Sequence, residues 1–423
     1  MRILFFTENF PPETNAAATR VFERARHWIA AGDEVTVITC APNFPHGRVF
    51  PGYRNAWRRI ETMDGIRVVR VKTYIAPNEG VARRSLDFLS FMTIGFMAAL
   101  FERRPDVVCV TSPQFFAAVG AWALAAVRRL PFVFELGDLW PASVVAVGAM
   151  RENWLLRQIE KLELFLYRRA DAVVALTQAF KANLVARGIP SDKIAVVVNG
   201  VELSLYGPRP RDAALASETG IGNDFTVGYA GTHGMAHALG NVLDAADTLR
   251  GEAGLRFLFV GAGAERAALI AEAKRRALGN VTFLDPQPKE RMARIWSLCD
   301  VALVHLKDSP AFADVIPSKI FEAMGMGLPI LLAAPKGEAS RIVEGDGAGL
   351  AVAPEDSAAL AEAVLRLKSD PALRRRLAEG ALRAAPRYSR ARQAAAMRAV
   401  LAMAVAGEGA KAAAFEVRRE GHG

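Results

Sequence analysis

Short apolar runs rich in Val, Ile and Phe alternate with longer amphipathic stretches along this chain of 423 residues. Strands that alternate with helices in this way form parallel sheets covered by helices. A polar, proline-containing segment at residues 206–224 separates two sets of runs. The predicted strands are Ile3–Phe6, Glu34–Thr39, Ile66–Val71, Val107–Thr111, Phe132–Glu135, Ala172–Leu176 and Ile194–Val198 before it, and Thr226–Tyr229, Arg256–Val260, Val281–Leu284, Val301–Leu306, Ile330–Ala333 and Gly349–Val352 after it. The sequence therefore predicts an α/β fold with two doubly wound, Rossmann-like domains.

The predicted domain limits follow from this separation of the apolar runs into two sets. Residues 1–205 form the first domain and residues 206–388 the second, and 52% apolar residues are enough for two cores. A helix at about 389–406 is expected to pack back on the first domain, and the charged, glycine-containing segment 407–423 is predicted to be disordered. Doubly wound sheets bind ligands beyond the carboxyl ends of their strands. We therefore expect the chemistry in a cleft between two facing domains.

Positive charge is concentrated in the first half of the chain. Residues 1–200 carry 25 basic and 18 acidic side chains, a net charge of +7, and the whole chain carries +9. Arg83-Arg84 and Arg103-Arg104 flank the apolar helix candidate Leu86–Phe101, which is shorter than the roughly 20 residues that span a bilayer. This helix either lies against an anionic membrane surface or a lipid tail, or is an ordinary buried helix with solvated arginines at its ends.

The remaining composition excludes several classes of protein. Cys40, Cys109 and Cys299 are far apart within or next to apolar runs, which indicates buried thiols in a reducing cytoplasm rather than disulfides or a metal site. The apolar start of the chain is too short for a signal peptide, so we expect the protein on the cytoplasmic side. Nothing matches a Walker loop, a serine nucleophile elbow or a nucleic-acid platform, so no nucleic-acid partner is expected.

The segment from Asp314 to Glu322 carries the strongest chemical signal. The two carboxylates lie eight positions apart around Lys319, and a helix is predicted to begin at Pro317 or Ser318. Amide groups at a helix start attract anions, so this segment suits a diphosphate, with the lysine adding charge and Glu322 accepting hydrogen bonds from a hydroxylated group. This pattern indicates a sugar-nucleotide site. The alternative is a surface helix with an ordinary Lys–Glu pair.

Two loops of the first domain also follow predicted strands. Asn15 and Ala16 open a helix after the first strand, where Asn15 could take the left-handed conformation that a phosphate loop usually gives to glycine. Asp138 follows the strand that ends near Glu135, where a carboxylate can orient a hydroxyl nucleophile, although it could instead cap a helix. Trp140 could stack on a sugar ring or pack in the core.

The second domain begins with a comparable turn. Gly231, Thr232 and His233 follow the strand Thr226–Tyr229, and His237 follows four residues after His233. Either histidine could bond a phosphate or an adjacent sugar, whereas a metal site is not expected because the glutamate of the metalloprotease pattern is missing. Gly261 belongs to an incomplete dinucleotide fingerprint, and we interpret it as a tight turn beside the base-binding pocket.

Taken together, these motifs resemble the GT-B glycosyltransferases of family 4 over nearly the whole chain. The resemblance is carried by Phe10–Glu13, Asp138–Pro141, Ala230–Gly234 and Pro317–Glu322, which occur in the order typical of that family. Within it, the chain is most similar to the WbuB and WcaI type of bacterial surface-polysaccharide enzymes, which are described as fucosyl or N-acetylfucosaminyl transferases of O-antigen and colanic acid synthesis.

The resemblance assigns roles to individual residues. Glu322 matches the carboxylate that binds the nucleotide ribose, and Asp314 stands where the family has a glutamate that contacts the donor sugar. Thr232 and His237 lie near the places of an Arg and a Lys that neutralise the diphosphate, so Lys319 is expected to carry most of the positive charge. Gly137 replaces a histidine that often precedes the acceptor-side Asp138. The expected catalytic residues are therefore Asp138, Lys319 and Asp314.

The same resemblance implies a retaining enzyme that needs neither a metal nor another cofactor. It would move a sugar from a nucleotide-diphosphate donor, UDP in preference to GDP, to an undecaprenyl-diphosphate-linked saccharide at the inner face of the cytoplasmic membrane. Two alternatives share this architecture. One is a sugar-nucleotide epimerase, which the Lys319–Glu322 segment disfavours. The other is a donor-binding subunit without catalysis, in which the absence of the Arg and Lys would reflect the loss of catalysis.

Overall fold

A computed structural model describes residues 1–44, 47–75, 81–112, 115–139 and 153–408, without the side chains of residues 81–84 and 155. The chain divides into two compact units. The first contains Met1–Asn199 and the chain from Arg390 onward, and the second contains Gly200–Ser389. The divisions therefore fall at Asn199 and at Ser389, compared with the predicted limits at residues 205 and 388.

The first unit is built on an eight-stranded sheet with the order β3-β4-β2-β1-β5-β6-β7-β8. Neighbouring strands are parallel, except that β3 runs antiparallel to β4 at one edge. The strands are β1 (Arg2–Phe6), β2 (Glu34–Cys40), β3 (Arg58–Met63), β4 (Ile66–Val71), β5 (Val107–Thr111), β6 (Phe132–Leu136), β7 (Ala172–Ala175) and β8 (Ile194–Val196).

Strand β3 is absent from the sequence prediction. Its residues alternate between exposed and half-buried positions and include two arginines and a glutamate, so it lacks the apolar run that identified the other strands. An edge strand needs only one covered face, and charged side chains on it prevent further pairing. The apolar-run criterion therefore cannot find it.

Helices on the first unit cover both faces of the sheet. They are α1 (Ala16–Ala30), α2 (Val81–Leu100), α3 (Phe115–Arg128), α4 (Trp154–Arg169), α5 (Gln178–Ala186) and the C-terminal helix Arg390–Val405. The C-terminal helix packs on α1, where Nε1 of Trp28 donates to the Ala394 carbonyl at 2.9 Å. Arg398 pairs with the buried carboxylate of Asp33 at 2.5 Å. These contacts join the end of the described chain to its beginning.

The second unit contains a six-stranded, wholly parallel sheet with the order β11-β10-β9-β12-β13-β14. Its strands are β9 (Phe225–Ala230), β10 (Leu255–Val260), β11 (Val281–Leu284), β12 (Val301–His305), β13 (Ile330–Ala333) and β14 (Gly349–Val352). Its helices are α6 (Ala213–Glu218), α7 (Leu239–Thr248), α8 (Arg266–Arg275), α9 (Lys289–Trp296), α10 (Lys319–Met326), α11 (Glu338–Gly345), α12 (Ser357–Ser369) and α13 (Pro371–Ala384). The strand order reverses between β9 and β12, and such a reversal opens a crevice at the carboxyl ends of the two strands.

Both predicted α/β domains are thus confirmed, and so is the burial of the three cysteines, which are free thiols. Burial raises the pKa of Cys40, Cys109 and Cys299 above the usual value of a thiol, so all three behave as small core residues. Among the described helices, none is both long enough and apolar enough to pass through a bilayer.

Candidate active site

The loops after β9 and β10 support one another at the carboxyl edge of the second sheet. The amide of Gly231 donates to the Val260 carbonyl at 2.9 Å, and the amide of His233 donates to the Ala262 carbonyl at 2.8 Å. Gly261 has a φ of +142°, and a Cβ atom there would lie 2.0 Å from the carbonyl oxygen of Gly231. Glycine at 261 is therefore required for the two loops to approach. A role of Gly261 beside the base stays a prediction.

Helix α10 begins at Lys319, directly after the two predicted starts, Pro317 and Ser318. The amide of Ile320 donates to the Pro317 carbonyl at 3.1 Å, and the amide of Phe321 donates to the Ser318 carbonyl at 3.1 Å, so the helix is entered through a tight turn. The side chain of Ser318 makes no capping hydrogen bond. Pro317 and Ser318 are half-buried, and they hold the start of a helix that the chain itself does not cap.

Lys319 projects from this helix start toward the turn after β9. Its side chain is only 8% exposed, and Nζ lies 3.7 Å from the centroid of the Tyr229 ring. A Cβ atom at Gly231 would lie 3.0 Å from Nζ, so the ammonium group faces the exposed backbone of that glycine. Nζ has no hydrogen-bond partner in the part of the chain that the structure describes. Burial lowers the pKa of Lys319 to about 7, and the Glu322 carboxylate opposes this shift.

A buried ammonium group without an acceptor destabilises a folded protein unless a ligand supplies one. The position next to Gly231 is open to a ligand because glycine has no side chain, while Thr232 beside it is exposed. Tyr229 fixes the turn, since its hydroxyl donates to the Thr232 carbonyl at 2.7 Å. The arrangement is therefore complementary to an anionic group that lies against the turn and the start of α10.

The side chain of His233 does not reach this position. It is 0% exposed and lies among aromatic rings, with the Tyr229, Phe259 and Phe283 ring centroids at 5.9, 6.1 and 6.3 Å. Burial lowers the pKa of His233 to about 4, with the charges of Arg266 and Lys319 adding to the shift. The expectation that the His233 ring bonds a phosphate or a sugar is corrected: the ring is a core residue, and only its backbone shapes the turn.

His237 instead contacts the end of β12 directly. Its Nδ1 donates to the carbonyl of His305 at 3.2 Å, and Nδ1 of His305 donates to the carbonyl of His237 at 2.8 Å. Nε2 of His305 lies 3.0 Å from the side-chain amide of Asn241, and with the proton of His305 on Nδ1 this contact is a hydrogen bond when the amide nitrogen donates to Nε2. Burial is the main cause that lowers the pKa of His237 to about 3 and that of His305 to about 4, so both rings are neutral at pH 7. His305 was not singled out from the sequence because it ends an apolar strand.

Glu322 lies one turn after Lys319 and is held by a residue that the sequence did not reveal. Nε1 of Trp296, at the end of α9, donates to Oε2 of Glu322 at 3.1 Å. Trp296 is 1% exposed, so the indole that holds Glu322 is itself a core residue. Asp314 lies half-buried in the segment before Pro317. The structure thus brings Lys319, Glu322, Gly231 and Thr232 to one edge of the sheet.

In the first unit, the loop after β1 leads into α1. Asn15 is the N-cap of α1: its Oδ1 accepts a hydrogen bond from the Ala18 amide at 2.9 Å, and its φ of −67° is extended. The expected left-handed conformation of Asn15 is therefore wrong, because a capping side chain needs extended backbone. Ala16 is the exposed first residue of the helix. The buried carboxylate of Glu13 ties the same loop to the loop after β2 by accepting from the amides of Asn43 and Phe44, both at 2.8 Å.

Asp138 follows β6 beside the end of β5. The Ser112 hydroxyl accepts hydrogen bonds from the amides of Gly137 and Asp138 at 2.9 and 3.4 Å. A Cβ atom at Gly137 would lie 2.5 Å from the Ser112 carbonyl oxygen, so a side chain at this position, such as the histidine that the family resemblance implies, would require the backbone to move. Asp138 itself is half-buried. Trp140 lies outside the described residues.

A buried ionic cluster supports this loop and was not predicted. Both terminal guanidinium nitrogens of Arg24 donate to the Glu135 carboxylate, at 2.6 and 2.9 Å, and Arg20 contacts both Glu135 and the hydroxyl of Thr111. Although burial opposes it, the two arginines lower the pKa of Glu135 to about 2. The cluster links α1 to the ends of β5 and β6, where Asp138 begins its loop. It could not be inferred because the two arginines and Glu135 are more than a hundred residues apart in the sequence.

Comparison with known proteins identifies the family of both units. Residues 15–200 match the family described as a glycosyl transferase 4-like domain, and residues 215–384 match glycosyl transferases group 1. WcaI of Escherichia coli K12, which carries the name of a colanic acid biosynthesis glycosyl transferase, is 26% identical over 77% of this chain and 82% of its own length.

Solved structures show the same fold. Sucrose-phosphate synthase from Thermosynechococcus elongatus has a TM-score of 0.78 at 19% identity, covering 96% of this chain and 99% of its own. Anabaena HepE in complex with UDP-glucose has a TM-score of 0.71 at 17% identity, covering 95% and 99%. With the two family matches covering both units, the chain belongs to the GT-B glycosyltransferases of family 4.

Proposed function

We propose that this glycosyltransferase moves a sugar, with retention of its anomeric configuration and without a metal, from a UDP-linked donor to a lipid-linked saccharide during synthesis of a bacterial surface polysaccharide. The sugar is of the fucose or N-acetylfucosamine type. The acceptor is an undecaprenyl-diphosphate-linked saccharide at the inner face of the cytoplasmic membrane. The proposal depends most on one observation, the buried ammonium group of Lys319 beside the bare backbone of Gly231.

The donor assignment is supported by this ammonium group and by two similar proteins. A diphosphate would give Lys319 the acceptor that it lacks within the described residues, and the start of α10 would add its dipole. Glu322, oriented by Trp296, is placed to accept from ribose hydroxyls. HepE has been crystallised with UDP-glucose, and WcaI is named for the synthesis of colanic acid, which favours a nucleotide-sugar donor and a polysaccharide product.

Transfer then requires charge to be stabilised on the departing diphosphate. The bond between the anomeric carbon and the diphosphate oxygen breaks, and its electron pair stays on the diphosphate. The acceptor hydroxyl oxygen bonds the anomeric carbon on the same face, and its proton passes to the departing phosphate oxygen. Lys319 lies where negative charge increases during this step, and such placement lowers the barrier more than it strengthens ground-state binding.

In this proposal Asp138 orients the acceptor hydroxyl instead of removing its proton. The backbone of Asp138, which follows β6, is held by the hydroxyl of Ser112, which follows β5. Gly137 before it allows no side chain without movement of the backbone. Asp314 would contact the donor sugar with a side chain one methylene shorter than the glutamate typical of the family. Both roles are predictions that follow from position.

Helix α2 supplies the surface that we propose for the membrane. Leu86, Leu89 and Met97 are exposed at helical spacing along one face, and Met97 is 57% exposed. Phe101, directly after the helix, is 79% exposed and is followed by Arg103, whose side chain is 74% exposed. Exposed apolar residues next to arginines favour the interface of an anionic bilayer. The side chains of Arg83 and Arg84 lie outside the described residues.

The test is a transfer assay with the purified full-length protein, a panel of UDP- and GDP-sugars and a short-chain polyprenyl-diphosphate saccharide. Product formation with chelator present, with the donor anomeric configuration preserved by NMR, is the expected result. A product of inverted configuration, or activity that needs added metal, would contradict the mechanism. Conversion of the donor to its epimer would identify an epimerase, and binding without transfer or slow donor hydrolysis would indicate a donor-binding subunit.

A further inference from the structure

The pair formed by His237 and His305 determines which nitrogen of His237 carries a proton. A carbonyl oxygen can only accept, so the 3.2 Å contact with the His305 carbonyl requires a proton on Nδ1 of His237. The reciprocal 2.8 Å contact from Nδ1 of His305 fixes the backbone of His237 as well. The ring of His237 therefore cannot turn to present Nδ1 to the crevice without breaking its bond to β12.

A neutral ring with its proton on Nδ1 has only a lone pair on Nε2. Burial and the nearby charge of Lys319 hold the pKa of His237 near 3, so the ring remains neutral at pH 7. Nε2 can then accept a hydrogen bond but cannot donate one. A phosphate oxygen also only accepts, so the two would repel. Of the two ligands expected for His237, a phosphate and an adjacent sugar, the phosphate does not fit this chemistry.

The position of His237 shows which part of a donor it would meet. His237 and Lys319 border the same Tyr229 ring, at 5.8 Å between ring centroids for His237 and 3.7 Å from the centroid for Nζ. His237 is half-buried, and Nε2 has no partner within the described chain. If the diphosphate occupies the position beside Lys319, hydroxyl groups lie on both sides of it, those of the ribose and those of the sugar. Glu322 is the group proposed for the ribose, so we assign His237 to the sugar.

We infer that Nε2 of His237 accepts a hydrogen bond from one hydroxyl group of the donor sugar and thereby selects among donor sugars. This inference depends on the proposed function, because it takes a nucleotide sugar as the ligand. A site that bonds a substrate hydroxyl rejects analogues that lack the hydroxyl, since its own polar atom would be left unpaired. His237 is thus a determinant of donor specificity, and its partner His305 is a positioning residue.

The experiment compares binding of UDP, GDP and the panel of nucleotide sugars to the wild type and to His237→Phe by calorimetry. Phenylalanine keeps the ring packing against Tyr229 and removes Nε2. We expect binding of the preferred nucleotide sugar to weaken about tenfold and binding of its nucleoside diphosphate to change less than about twofold. His305→Gln loosens the same pair without removing Nε2, so, as expected of a positioning residue, it should change the ratio of the two affinities in the same direction as His237→Phe but by less.

Monodeoxy analogues of the preferred sugar complete the test. One analogue should bind the wild type about tenfold more weakly than the parent sugar and bind His237→Phe no more weakly than the parent does. Equal loss of affinity for the nucleotide sugar and the nucleoside diphosphate, or no loss for either, would overturn the inference while leaving the proposed function intact. A wild-type protein that binds none of the nucleotide sugars would overturn both.

Discussion

The ammonium group of Lys319 lies 3.7 Å from the centroid of the Tyr229 ring, buried at the end of a parallel sheet and without a hydrogen-bond acceptor among the described residues. The ring offers a weak electrostatic partner, which keeps the side chain in place but does not neutralise it. The ammonium group is therefore positioned to bind an anion. Because binding of that anion offsets the cost of burying the charge, function and stability oppose each other at this residue.

Replacement of Lys319 by methionine should separate these two effects. Methionine fills a similar volume without a buried charge, so we expect the free energy of unfolding at pH 6 to increase by about 1 kcal/mol. Transfer should fall by at least about a hundredfold, since a charged group near the departing diphosphate is lost. Thermal denaturation and initial rates measure the two effects. A stable variant with unchanged turnover would exclude the proposed role of the lysine.

The affinity for the nucleoside diphosphate should depend on pH through Lys319. Burial lowers the pKa of this lysine to about 7, so the free protein loses the ammonium proton as the pH rises above 7, whereas the bound diphosphate favours the charged form. We expect affinity to decrease by up to about tenfold per pH unit between pH 7 and 9. Lys319→Arg remains charged over this range and should lose that dependence. Parallel pH profiles of the two proteins would refute the assignment.

Trp296 should affect binding of the ribose indirectly, through its hydrogen bond to Glu322. Trp296→Phe keeps an aromatic ring in the core but removes the donor to Glu322, so the carboxylate loses its orientation. We expect discrimination between a ribonucleotide and its 2′-deoxy analogue to fall about threefold to tenfold. The double variant with Glu322→Gln should be no worse than Glu322→Gln alone, because both changes affect one contact. Additive losses in the double-mutant cycle would show that Trp296 acts elsewhere.

Gly261 should be essential for stability, since a Cβ atom there would lie 2.0 Å from the carbonyl of Gly231. Gly261→Ala must shift the backbone of the turn that faces Lys319, and we expect a loss of about 3 kcal/mol in stability. Gly240→Ala is the matched control: Gly240 lies in α7 with nothing near its Cβ position, so alanine there should be neutral or stabilising by up to about 1 kcal/mol. Chemical denaturation of both variants makes the comparison. Equal stabilities would contradict the packing of the two loops.

Membrane binding should depend on the exposed face of α2. Leu89→Gln with Met97→Gln removes apolar area, and Arg103→Glu with Arg104→Glu reverses the adjacent charge. Each pair should reduce sedimentation with phosphatidylglycerol vesicles by about tenfold, and only the charge effect should disappear at high salt. Val185→Gln, an exposed apolar position on α5, is the control and should bind like the wild type. Undiminished binding by both pairs would place the membrane surface elsewhere.

The sequence was informative wherever the relevant residues are close together along the chain. Apolar runs located the buried strands, and the spacing from Asp314 to Glu322 located the helix start and its lysine. Strand β3 was missed because an exposed edge strand has no apolar run. The contact between Trp296 and Glu322, and the ionic cluster of Arg20, Arg24 and Glu135, join separate elements that the fold alone brings together.

Side-chain direction in irregular segments was the other limit. His233 and His237 occur in one short turn, and nothing in the residue pattern distinguishes their roles. The backbone directs His233 into an aromatic core, while His237 faces β12 through a carbonyl that also fixes its tautomer. Asn15 was expected to replace a glycine, but it caps α1 in an extended conformation. Hydrogen bonds of this kind depend on dihedral angles that residue types do not determine.

The most direct test of the central claim is the affinity for the donor's nucleoside diphosphate at pH 6.5, measured by calorimetry for the wild type and for Lys319→Met. A charge-assisted contact to a phosphate that is lost from a buried position should weaken binding by about tenfold to a hundredfold. The nucleoside itself, which lacks phosphates, should bind both proteins equally. Equal affinity of the two proteins for the diphosphate would show that the leaving group is held somewhere else.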